Sequence, residues 1–267
     1  MVIPASNEAA YITGCLTALF ASTVPGDCVV VANGCHDATA DRARAMDRAA
    51  SAAGWRLVVL DLAQGGKPDA LNAGDAAAAH PARVYLDADV VVSSTLMAEL
   101  AMALAADRPL YATGTARIPP ARSPVTRAYA RFWQKLPFAT SNAPGFGLFA
   151  VNPAGRSRWG AFPAIISDDT FVRLHFAPDE RVQTPAIYDW PMIEGFAALT
   201  RVRRRQDAGV AEIARLHSHL NQNEAKPGIS AARLGLMALT DPAGFATYAA
   251  ISLATRLSRT TGWTRGR

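Results

Sequence analysis

The sequence predicts an α/β fold built on an open, twisted and mostly parallel sheet. Short runs of β-branched residues alternate with alanine-rich helical stretches through the first half of the chain, which is typical of a parallel sheet covered by helices. With 267 residues, 50% of them hydrophobic, the chain can bury a sizeable core in one large domain or two small ones. Right-handed crossovers would join successive strands into a single sheet.

Four strands alternate with three helices before residue 90. The strands are short apolar runs at 2–4, 28–32, 56–60 and 83–87. Apolar residues at helical spacing between positions 12 and 20 predict the first helix. The second is predicted from Asp37, as its N-cap, to Ala53, with Gly54 just beyond its end, and the third over 68–79.

The alternation becomes less regular after residue 110. Strands are predicted at 110–118 and 145–151, and helices at 126–136, 168–176, 190–206 and 228–259. We therefore expect a main domain over 1–210, with halves at 1–110 and 111–210, and a helical C-terminal extension over 211–267.

Composition and charge limit the kinds of ligand that the chain is expected to bind. The chain has 27 basic and 22 acidic residues, a net charge of +5, which permits affinity for phosphate or anionic lipid. No zinc-finger, RNP or helix-turn-helix signature is present, so we do not expect nucleic acid as a partner. Basic residues concentrate at 201–205 and 256–267. The C-terminal helix is expected to pack against the protein, with peripheral membrane contact through this basic region as the alternative.

Cysteine usage and hydropathy indicate a cytoplasmic protein without membrane spans. The three cysteines all lie within the first 35 residues, without a Cys-x-x-Cys pair or a preceding signal-like segment. The two uncharged runs, at 9–26 and 136–155, are interrupted by proline and polar residues. Neither run resembles the roughly 20 apolar residues that a transmembrane helix needs.

Polar residues follow each of the first four predicted strands. The segments are PASNE, NGCHD, DLAQGGK and DAD. Ligands of open parallel sheets bind beyond the carboxyl ends of the strands, where these segments would meet. Lys67 suits a phosphate, and Asp87 and Asp89 suit a hard divalent cation. Burying two unpartnered carboxylates after an apolar strand would be costly, and a metal ion would relieve that cost.

Five segments carry a family resemblance. VIPASNEAAYITGCLTAL, VVVANGCHDAT, GGKPDALNAG and YLDADV resemble, in order, motifs of the family 2 glycosyltransferases. The segment at 145–172 is similar to the family's acceptor-side segment, which ends in a Glu-Asp pair. Together these segments span roughly residues 1–210. The resemblance implies a glycosyltransferase A (GT-A) fold, a nucleotide-binding half at 1–110, an acceptor-binding half at 111–210, and sugar transfer from a nucleotide diphosphate to a hydroxyl with inversion.

The resemblance also implies roles for individual residues. Asp169 falls on the family's catalytic base, with Asp168 in place of the usual glutamate; Asp168 and Gly147 belong to the acceptor side. Asp87 and Asp89 would bind sugar, ribose and a manganese or magnesium ion, with Asp89 as the direct metal ligand. The other donor-binding positions are Ala5, Asn7, Glu8, Asn33, Lys67, Ala88 and Arg205.

The residue chemistry fits these roles. Direct displacement by a hydroxyl needs a carboxylate within hydrogen-bond reach, and a metal ion can stabilise the charge of a departing diphosphate. The structural alternative for Asp168 and Asp169 is a pair that caps a helix N-terminus. Both functions are compatible, with Asp168 as the cap and Asp169 as the base.

Two departures from the family pattern bear on the substrates. Ala32 stands where many relatives have an aspartate beside the nucleobase, which leaves that contact to Asn33, Asp37 or the backbone. Processive members carry Gln-x-x-Arg-Trp, and here Arg205 is followed by Gln206. The incomplete processive signature leads us to expect transfer of a single sugar. Ala32 leaves the nucleobase open, and a UDP-sugar is the expected donor ahead of GDP- or dTDP-sugars. The acceptor is a hydroxyl compound, and a lipid-linked acceptor is one possibility.

Two rival functions fit parts of the sequence. GFGLFA at 145–150 matches a dinucleotide-binding pattern, but the context lacks a strand before it and a helix after it; Gly145 and Gly147 fit a tight loop beside the donor sugar better. The second rival is a binding subunit that keeps the fold without turnover. The presence of both Asp89 and Asp169 favours the enzyme.

Overall fold

Eight strands form a single sheet in the computed structural model, which describes residues 1–140 and 143–257. Within these residues the strands are β1 (Val2–Ala5), β2 (Asp27–Asn33), β3 (Arg56–Leu62), β4 (Arg83–Leu86), β5 (Val91–Val92), β6 (Tyr111–Arg117), β7 (Leu148–Val151) and β8 (Arg181–Asp189). Their spatial order is β3-β2-β1-β4-β7-β6-β8-β5. This mixed architecture with a mainly parallel sheet confirms the predicted fold class.

Helices flank the sheet and follow it at the C-terminal end. The described helices are α1 (Ile12–Phe20), α2 (Thr39–Arg44), α3 (Asp47–Ala52), α4 (Lys67–Ala77), α5 (Leu96–Ala103), α6 (Pro124–Trp133), α7 (Pro137–Thr140), α8 (Pro153–Arg156), α9 (Asp168–Leu174), α10 (Phe196–Leu216), α11 (Ala231–Thr240) and α12 (Pro242–Leu257). Short 3-10 helices lie at Pro178–Glu180 and Ser218–Asn223. Among these elements, none combines the length and the apolar character required to cross a bilayer.

The first four strands are parallel neighbours. β1 lies between β2 and β4, and β3 adds to the outer side of β2. All of β1, and all of β2 except Asp27, is buried, which explains why their sequences are unbroken apolar runs rather than alternating ones. The four strands predicted before residue 90 are confirmed to within two residues.

The helix predicted from Asp37 to Ala53 is wrong as a single element. It forms two short helices, α2 and α3. Between them the hydrogen bonding changes from i→i−4 to i→i−3 at Met46, whose N–H donates to the Ala43 carbonyl. Asp37 is not the N-cap. Its carboxylate accepts hydrogen bonds from the Thr39 and Ala9 N–H groups, which anchors the loop ahead of the helix to the segment after β1.

The second half of the sheet contains antiparallel pairs. β7 lies antiparallel between β4 and β6, while β8 pairs parallel with β6 and antiparallel with β5. β5, β8 and α5 were not predicted. β8 contains Pro185, which has no N–H to donate, and the β6–β8 register shifts between Thr113 and Thr115 to accommodate this position. A proline inside the run removes the usual sequence signal of a strand.

Two predicted C-terminal helices have different bounds. The helix at 190–206 begins only at Phe196, after Gly195 with φ of +91°, and continues to Leu216. The helix at 228–259 divides into α11 and α12 because Asp241 ends the first and its carboxylate accepts a hydrogen bond from Gly244 in the second. Positions 258 and 259, and the basic tail after them, lie outside the described residues.

The C-terminal helices pack directly on α6. Phe132 contacts the rings of Phe245 and Tyr248, with centroids 5.7 and 5.2 Å away. Arg131 forms two hydrogen bonds to the buried carboxylate of Asp241 at 2.6 and 2.8 Å. These contacts build an apolar core shared by α6, α10, α11 and α12. Helix α10 passes through position 210, and the division into 1–210 and 211–267 stays a prediction.

Candidate active site

A cleft of about 590 Å³ opens at the carboxyl ends of β1, β2 and β4. Its volume lies in the range of roughly 300–1,000 Å³ that is typical of small-molecule sites. Ten of the twelve residues predicted for the site line this cleft: Glu8, Asn33, Lys67, Asp87, Ala88, Asp89, Gly147, Asp168, Asp169 and Arg205. The fold thus gathers residues from position 8 to position 205 around one space.

The other two predicted residues, Ala5 and Asn7, do not line the cleft. Ala5 is buried within β1. Asn7 is exposed, has a φ of +58°, and accepts a hydrogen bond from the His36 N–H at 2.8 Å. Glu8 follows at the cleft, where its N–H donates to the Thr39 hydroxyl at 2.8 Å. Asn7 therefore organises the loop between β1 and α1 rather than facing the cleft.

Asn33 joins three loops at the edge of the sheet. Its amide nitrogen donates to the Ala5 carbonyl at 3.0 Å, and its amide oxygen accepts from the Gly66 N–H at 3.1 Å. Next to it, Gly34 has a φ of +54°, and a Cβ there would lie 2.6 Å from the Gly65 nitrogen. Only glycine fits this approach. The loops after β1, β2 and β3 are thereby fixed relative to one another.

Lys67 bridges two carboxylates from different parts of the chain. Its ammonium lies 2.9 Å from an oxygen of Asp87, which follows β4, and 3.1 Å from an oxygen of Asp168 at the start of α9. Lys67 itself is the first residue of α4. This bridge connects the strand-end loops with the helix that carries the Asp168–Asp169 pair.

Burial and charge shift the pKa values at this bridge. Burial raises the pKa of the Asp168 carboxyl to about 6; the nearby Asp169 and Asp87 carboxylates also raise it, and Lys67 opposes them. Burial alone would lower the pKa of Lys67, but attraction to Asp168, Asp87 and Asp169 outweighs it and raises the value. One oxygen of Asp168 is buried without a hydrogen-bond partner among the described residues. A ligand in the cleft could supply that partner.

Asp169 lies next to this buried carboxylate and lines the cleft. One of its oxygens accepts a hydrogen bond from the Thr170 N–H at 2.7 Å. The N-cap position of α9 belongs to Ser167, and the Asp168 side chain is directed to Lys67. The expected role of Asp168 as a helix cap is therefore wrong.

The Asp87–Ala88–Asp89 segment forms the floor of the cleft beside Gly147. The Asp87 N–H donates to the Gly147 carbonyl at 2.8 Å, which continues the β4–β7 pairing by one residue. Gly147 has a φ of +67°, and a Cβ there would lie 2.7 Å from Trp190 Cδ1. Glycine is required at 147 because a side chain would both strain the backbone and strike the indole.

The two aspartates of this segment suit a manganese or magnesium ion. Among the described residues, no three His, Cys, Asp or Glu side chains are grouped to hold a metal by themselves. Magnesium in phosphate-binding enzymes is commonly held by one or two carboxylates together with substrate phosphates. Asp89 and Asp87 both line the cleft and match that donor set. They fit a metal that binds together with a diphosphate.

Helix α10 contributes basic residues to the opposite side of the cleft. Arg203 is engaged with Asp207 at 3.0 Å and with the Tyr129 hydroxyl at 3.2 Å. Arg205 lines the cleft and has no ion pair within the described ranges 1–140 and 143–257. Gly209 lets α10 lie against Ile166 and Ser167, because a Cβ at 209 would overlap the Ser167 hydroxyl.

An apolar wall, which no sequence motif predicted, completes the cleft. Its members come from α6, the segments around 138–146 and 190–193, and α10: Tyr129, Trp133, Phe138, Pro144, Phe146, Trp190, Pro191, Met192, Ile193, Leu199 and Val202. The clustering of large aromatic residues between 129 and 146 is the signal that could have indicated it.

Comparisons with known proteins agree with this geometry. A family model described as glycosyl transferase family 2 matches residues 1–155, more than half of the chain. Among solved structures, the mannosyltransferase PcManGT from Pyrobaculum calidifontis in complex with GDP-Man and Mn2+ aligns with a TM-score of 0.62 and 19% identity, over 97% of this chain and 75% of that one.

TarS from S. aureus provides a second similar fold. Its residues 1–349 in complex with UDP align with a TM-score of 0.53 and 10% identity, over 99% of this chain and 93% of that one. The complex with UDP-GlcNAc aligns with a TM-score of 0.54 and 12% identity, over 96% and 90%. A search of curated protein sequences finds no match. The family match and the shared architecture establish that this chain belongs to glycosyl transferase family 2 and has a GT-A fold.

Proposed function

We propose that this protein is an inverting, metal-dependent glycosyltransferase that moves a single sugar from a nucleotide diphosphate to an acceptor hydroxyl. The observation that carries the proposal is the single cleft lined by both Asp89 and Asp169, with Lys67 bridging their two regions. The family match ends at residue 155, so it includes the donor-side carboxylates but not Asp169. The role of Asp169 is therefore supported by its position in the cleft.

Asp169 would act as the general base. Its carboxylate accepts the proton of the acceptor hydroxyl while that oxygen attacks the anomeric carbon of the donor sugar. The bond from the anomeric carbon to the diphosphate oxygen breaks on the opposite face, and the nucleoside diphosphate leaves with the electron pair. A positioned base of this kind contributes about 10²–10⁴-fold to the rate.

Positive charge is needed where the diphosphate departs. Asp89 and Asp87 would hold a manganese or magnesium ion, which supplies charge stabilisation to the leaving group when it is bound. Lys67 and Arg205 add cationic groups from the chain itself on two sides of the cleft. A phosphate oxygen bound to Lys67 would compete with Asp87 for the lysine ammonium group. Asp87 would then be available to bind the metal ion.

The proposed donor is a UDP-sugar, with GDP- and dTDP-sugars as the alternatives to be tested. The similar structures hold GDP-Man, UDP and UDP-GlcNAc, so they support a nucleotide sugar as the ligand class. The proposed setting is the synthesis of a glycan, a glycolipid or an exopolysaccharide.

The decisive experiment combines binding with turnover. Thermal shifts with UDP-, GDP- and dTDP-sugars, each with and without manganese, should single out one donor, and that donor should be slowly hydrolysed or transferred. Asp89→Ala should abolish the manganese dependence of binding, whereas Asp107→Ala, at an exposed aspartate outside the cleft, should not. Absence of any nucleotide binding would overturn the proposal. Binding without hydrolysis or transfer would favour a catalytically silent binding subunit instead.

We also propose a cytoplasmic location, peripheral at the membrane. Cys15, Cys28 and Cys35 are free thiols, as expected in a reducing compartment. Leucines on α11 and α12 are exposed, Leu239 by 82% and Leu257 by 70%, and the basic tail follows directly. Sedimentation with vesicles containing anionic phospholipid should capture the protein, and Leu239→Glu should reduce that capture. Equal recovery with neutral vesicles would contradict an electrostatic contribution.

A further inference from the structure

The apolar wall differs chemically from the rest of the cleft. The strand-end side is lined by carboxylates, an amide and a lysine, whereas the wall is built from eleven aromatic, aliphatic, thioether and proline side chains. Ligand pockets combine apolar walls, which cover the apolar parts of a ligand, with a few polar groups that fix its orientation. The wall therefore indicates a ligand part with little polarity.

Four aromatic rings give the wall a fixed shape. Trp133 lies 5.0 Å from Phe146, 5.3 Å from Phe138 and 5.7 Å from Trp190, measured between ring centroids. Phe146 and Trp190 stack at 5.3 Å. Behind them, the core formed by α6, α10, α11 and α12 holds this cluster. The wall is thus a preformed surface rather than a set of loose side chains.

The wall has few groups that could satisfy a sugar. The side-chain polar atoms that its members carry are the Tyr129 hydroxyl and the two indole N–H groups. The Tyr129 hydroxyl already accepts a hydrogen bond from Arg203 at 3.2 Å. Sugar hydroxyls placed beside Met192, Ile193 or Val202 would lose hydrogen bonds to water without replacement, which is unfavourable. An alkyl or isoprenoid-like chain would instead gain from burial there.

The wall is continuous with the catalytic groups. Trp190 lies so close to Gly147 that a Cβ there would be 2.7 Å from Trp190 Cδ1, and the Gly147 carbonyl accepts a hydrogen bond from the Asp87 N–H. On the other side, Val202 precedes Arg205 by one turn of α10 and lines the same cleft as Asp169. A molecule lying on the wall would therefore occupy the same cleft as Asp169 and Asp87.

We propose that the acceptor is an alcohol that carries an apolar chain, which lies on the apolar wall while the hydroxyl group faces Asp169. This inference rests on the proposed glycosyl transfer and narrows its acceptor to amphiphilic molecules. The wall then selects the acceptor by its apolar part, and the strand-end loops select the donor by its polar groups.

A series of alkyl β-D-glucosides tests this inference. Methyl, butyl and hexyl glucosides, kept below their aggregation concentrations, are titrated into the protein by calorimetry, first without nucleotide and then with UDP and manganese. We expect the affinity to rise about three- to fourfold for each methylene that the wall covers. Affinity that does not change with chain length, or no binding of hexyl glucoside, would overturn the inference.

Matched variants separate the wall from general effects. Ile193→Asn places an amide on the wall, and Ile187→Asn does the same at an apolar position of β8 that is 41% exposed and outside the cleft. Ile193→Asn should weaken hexyl glucoside at least fivefold and leave methyl glucoside unchanged, while Ile187→Asn should change neither. If Ile193→Asn does not fold, Val202→Thr gives a milder test with the same sign.

Two further measurements keep this inference distinct from the proposed function. Nucleotide affinity reports the donor site by itself: loss of nucleotide binding with an intact chain-length effect would contradict glycosyl transfer but not the apolar subsite. Maltotriose serves as the polar competitor. If maltotriose binds more tightly than hexyl glucoside, and Ile193→Asn weakens maltotriose, the wall binds sugar rings and the inference is wrong.

Discussion

The two sides of the cleft are built in different ways. The donor side consists of loops after successive parallel strands, and Asn33 ties three of them together through hydrogen bonds to Ala5 and Gly66. The opposite side consists of helix α9, which carries the Asp168–Asp169 pair, and of apolar side chains from other helices and irregular segments that pack on one another. Polar recognition is thus attached to the sheet, whereas apolar recognition depends on how the later helices pack.

Lys67 is where the two sides meet. It belongs to the loop system of the donor side, yet one of its two ion pairs is with Asp168 on α9. Any change at the bridge should therefore alter both sides, while changes farther away should alter only one.

Asp169→Asn should reduce turnover strongly and leave the donor side unchanged. The amide cannot accept the proton of the acceptor hydroxyl, so we expect transfer to fall by about 10²–10⁴-fold. Nucleotide affinity should stay within about threefold, because the donor-side loops are unchanged. Steady-state transfer and calorimetry measure the two quantities. Asp107→Asn is the matched control, and normal turnover in Asp169→Asn would exclude this residue as the base.

Replacing Lys67 should affect both sides of the cleft. Lys67→Met leaves the Asp168 carboxylate buried without its partner, which in fully buried pairs costs about 3–5 kcal/mol. Because the Lys67 side chain is 33% exposed, we expect a smaller loss, about 2 kcal/mol in the free energy of unfolding. Nucleotide affinity should fall as well.

A double variant tests whether the ion pair between Lys67 and Asp168 is responsible. Lys67→Met combined with Asp168→Asn removes both charges, so part of the stability lost in Lys67→Met should return in urea unfolding. If the losses simply add, the ion pair between Lys67 and Asp168 does not connect the two sides.

Replacing Asp241 should affect only the packing of the helices on the opposite side of the cleft. Its carboxylate accepts the Gly244 N–H at the start of α12 and pairs with Arg131 on α6, and these bonds, the one to Arg131 first, lower its pKa. Asp241→Ala should lower the free energy of unfolding by about 1–2 kcal/mol through loss of the cap. Nucleotide affinity should not change. Asp241→Asn, which retains a cap acceptor, should lose less; equal losses would assign the effect to the ion pair.

The buried Asp168 carboxyl should make the stability of the protein depend on pH. Burial raises the pKa of Asp168 to about 6 from an ordinary 3.8, so the folded protein binds more protons than the unfolded chain between those values. The contribution of Asp168 to the free energy of unfolding therefore decreases as pH rises from about 4 to 6. The difference between wild type and Asp168→Asn should decrease in the same direction. Urea unfolding at several pH values measures it, and a constant difference would contradict the assignment.

Most of the donor side could be predicted from the sequence, for a physical reason. A parallel strand buried on both faces is an unbroken apolar run, and the residues after it must lie at one edge of the sheet. This is why Asp87, Asp89 and Lys67 could be predicted for the site from the sequence alone, and the fold indeed brings them together. Asn7 was misplaced because its backbone conformation turns the side chain toward the next loop.

The opposite side was less predictable from the sequence, because its structure depends on contacts between residues that are far apart in the chain. β8 was missed since Pro185 interrupts its run, and the bulge that accommodates this proline involves β6, far away in sequence. The apolar wall combines residues from 129 to 202 that no short-range pattern connects. The division of the predicted helix at 228–259 depends on Asp241, whose ion-pair partner Arg131 lies 110 positions earlier.

Gly209 leaves no spare room between α10 and its neighbour. α10 approaches Ile166 and Ser167 more closely than any side chain at position 209 would permit. The distance between α10 and the Asp168–Asp169 pair therefore depends on the absence of a Cβ at this position. A designer who wished to widen this enzyme for a bulkier acceptor could begin here with Gly209→Ala, at a position that does not itself line the cleft.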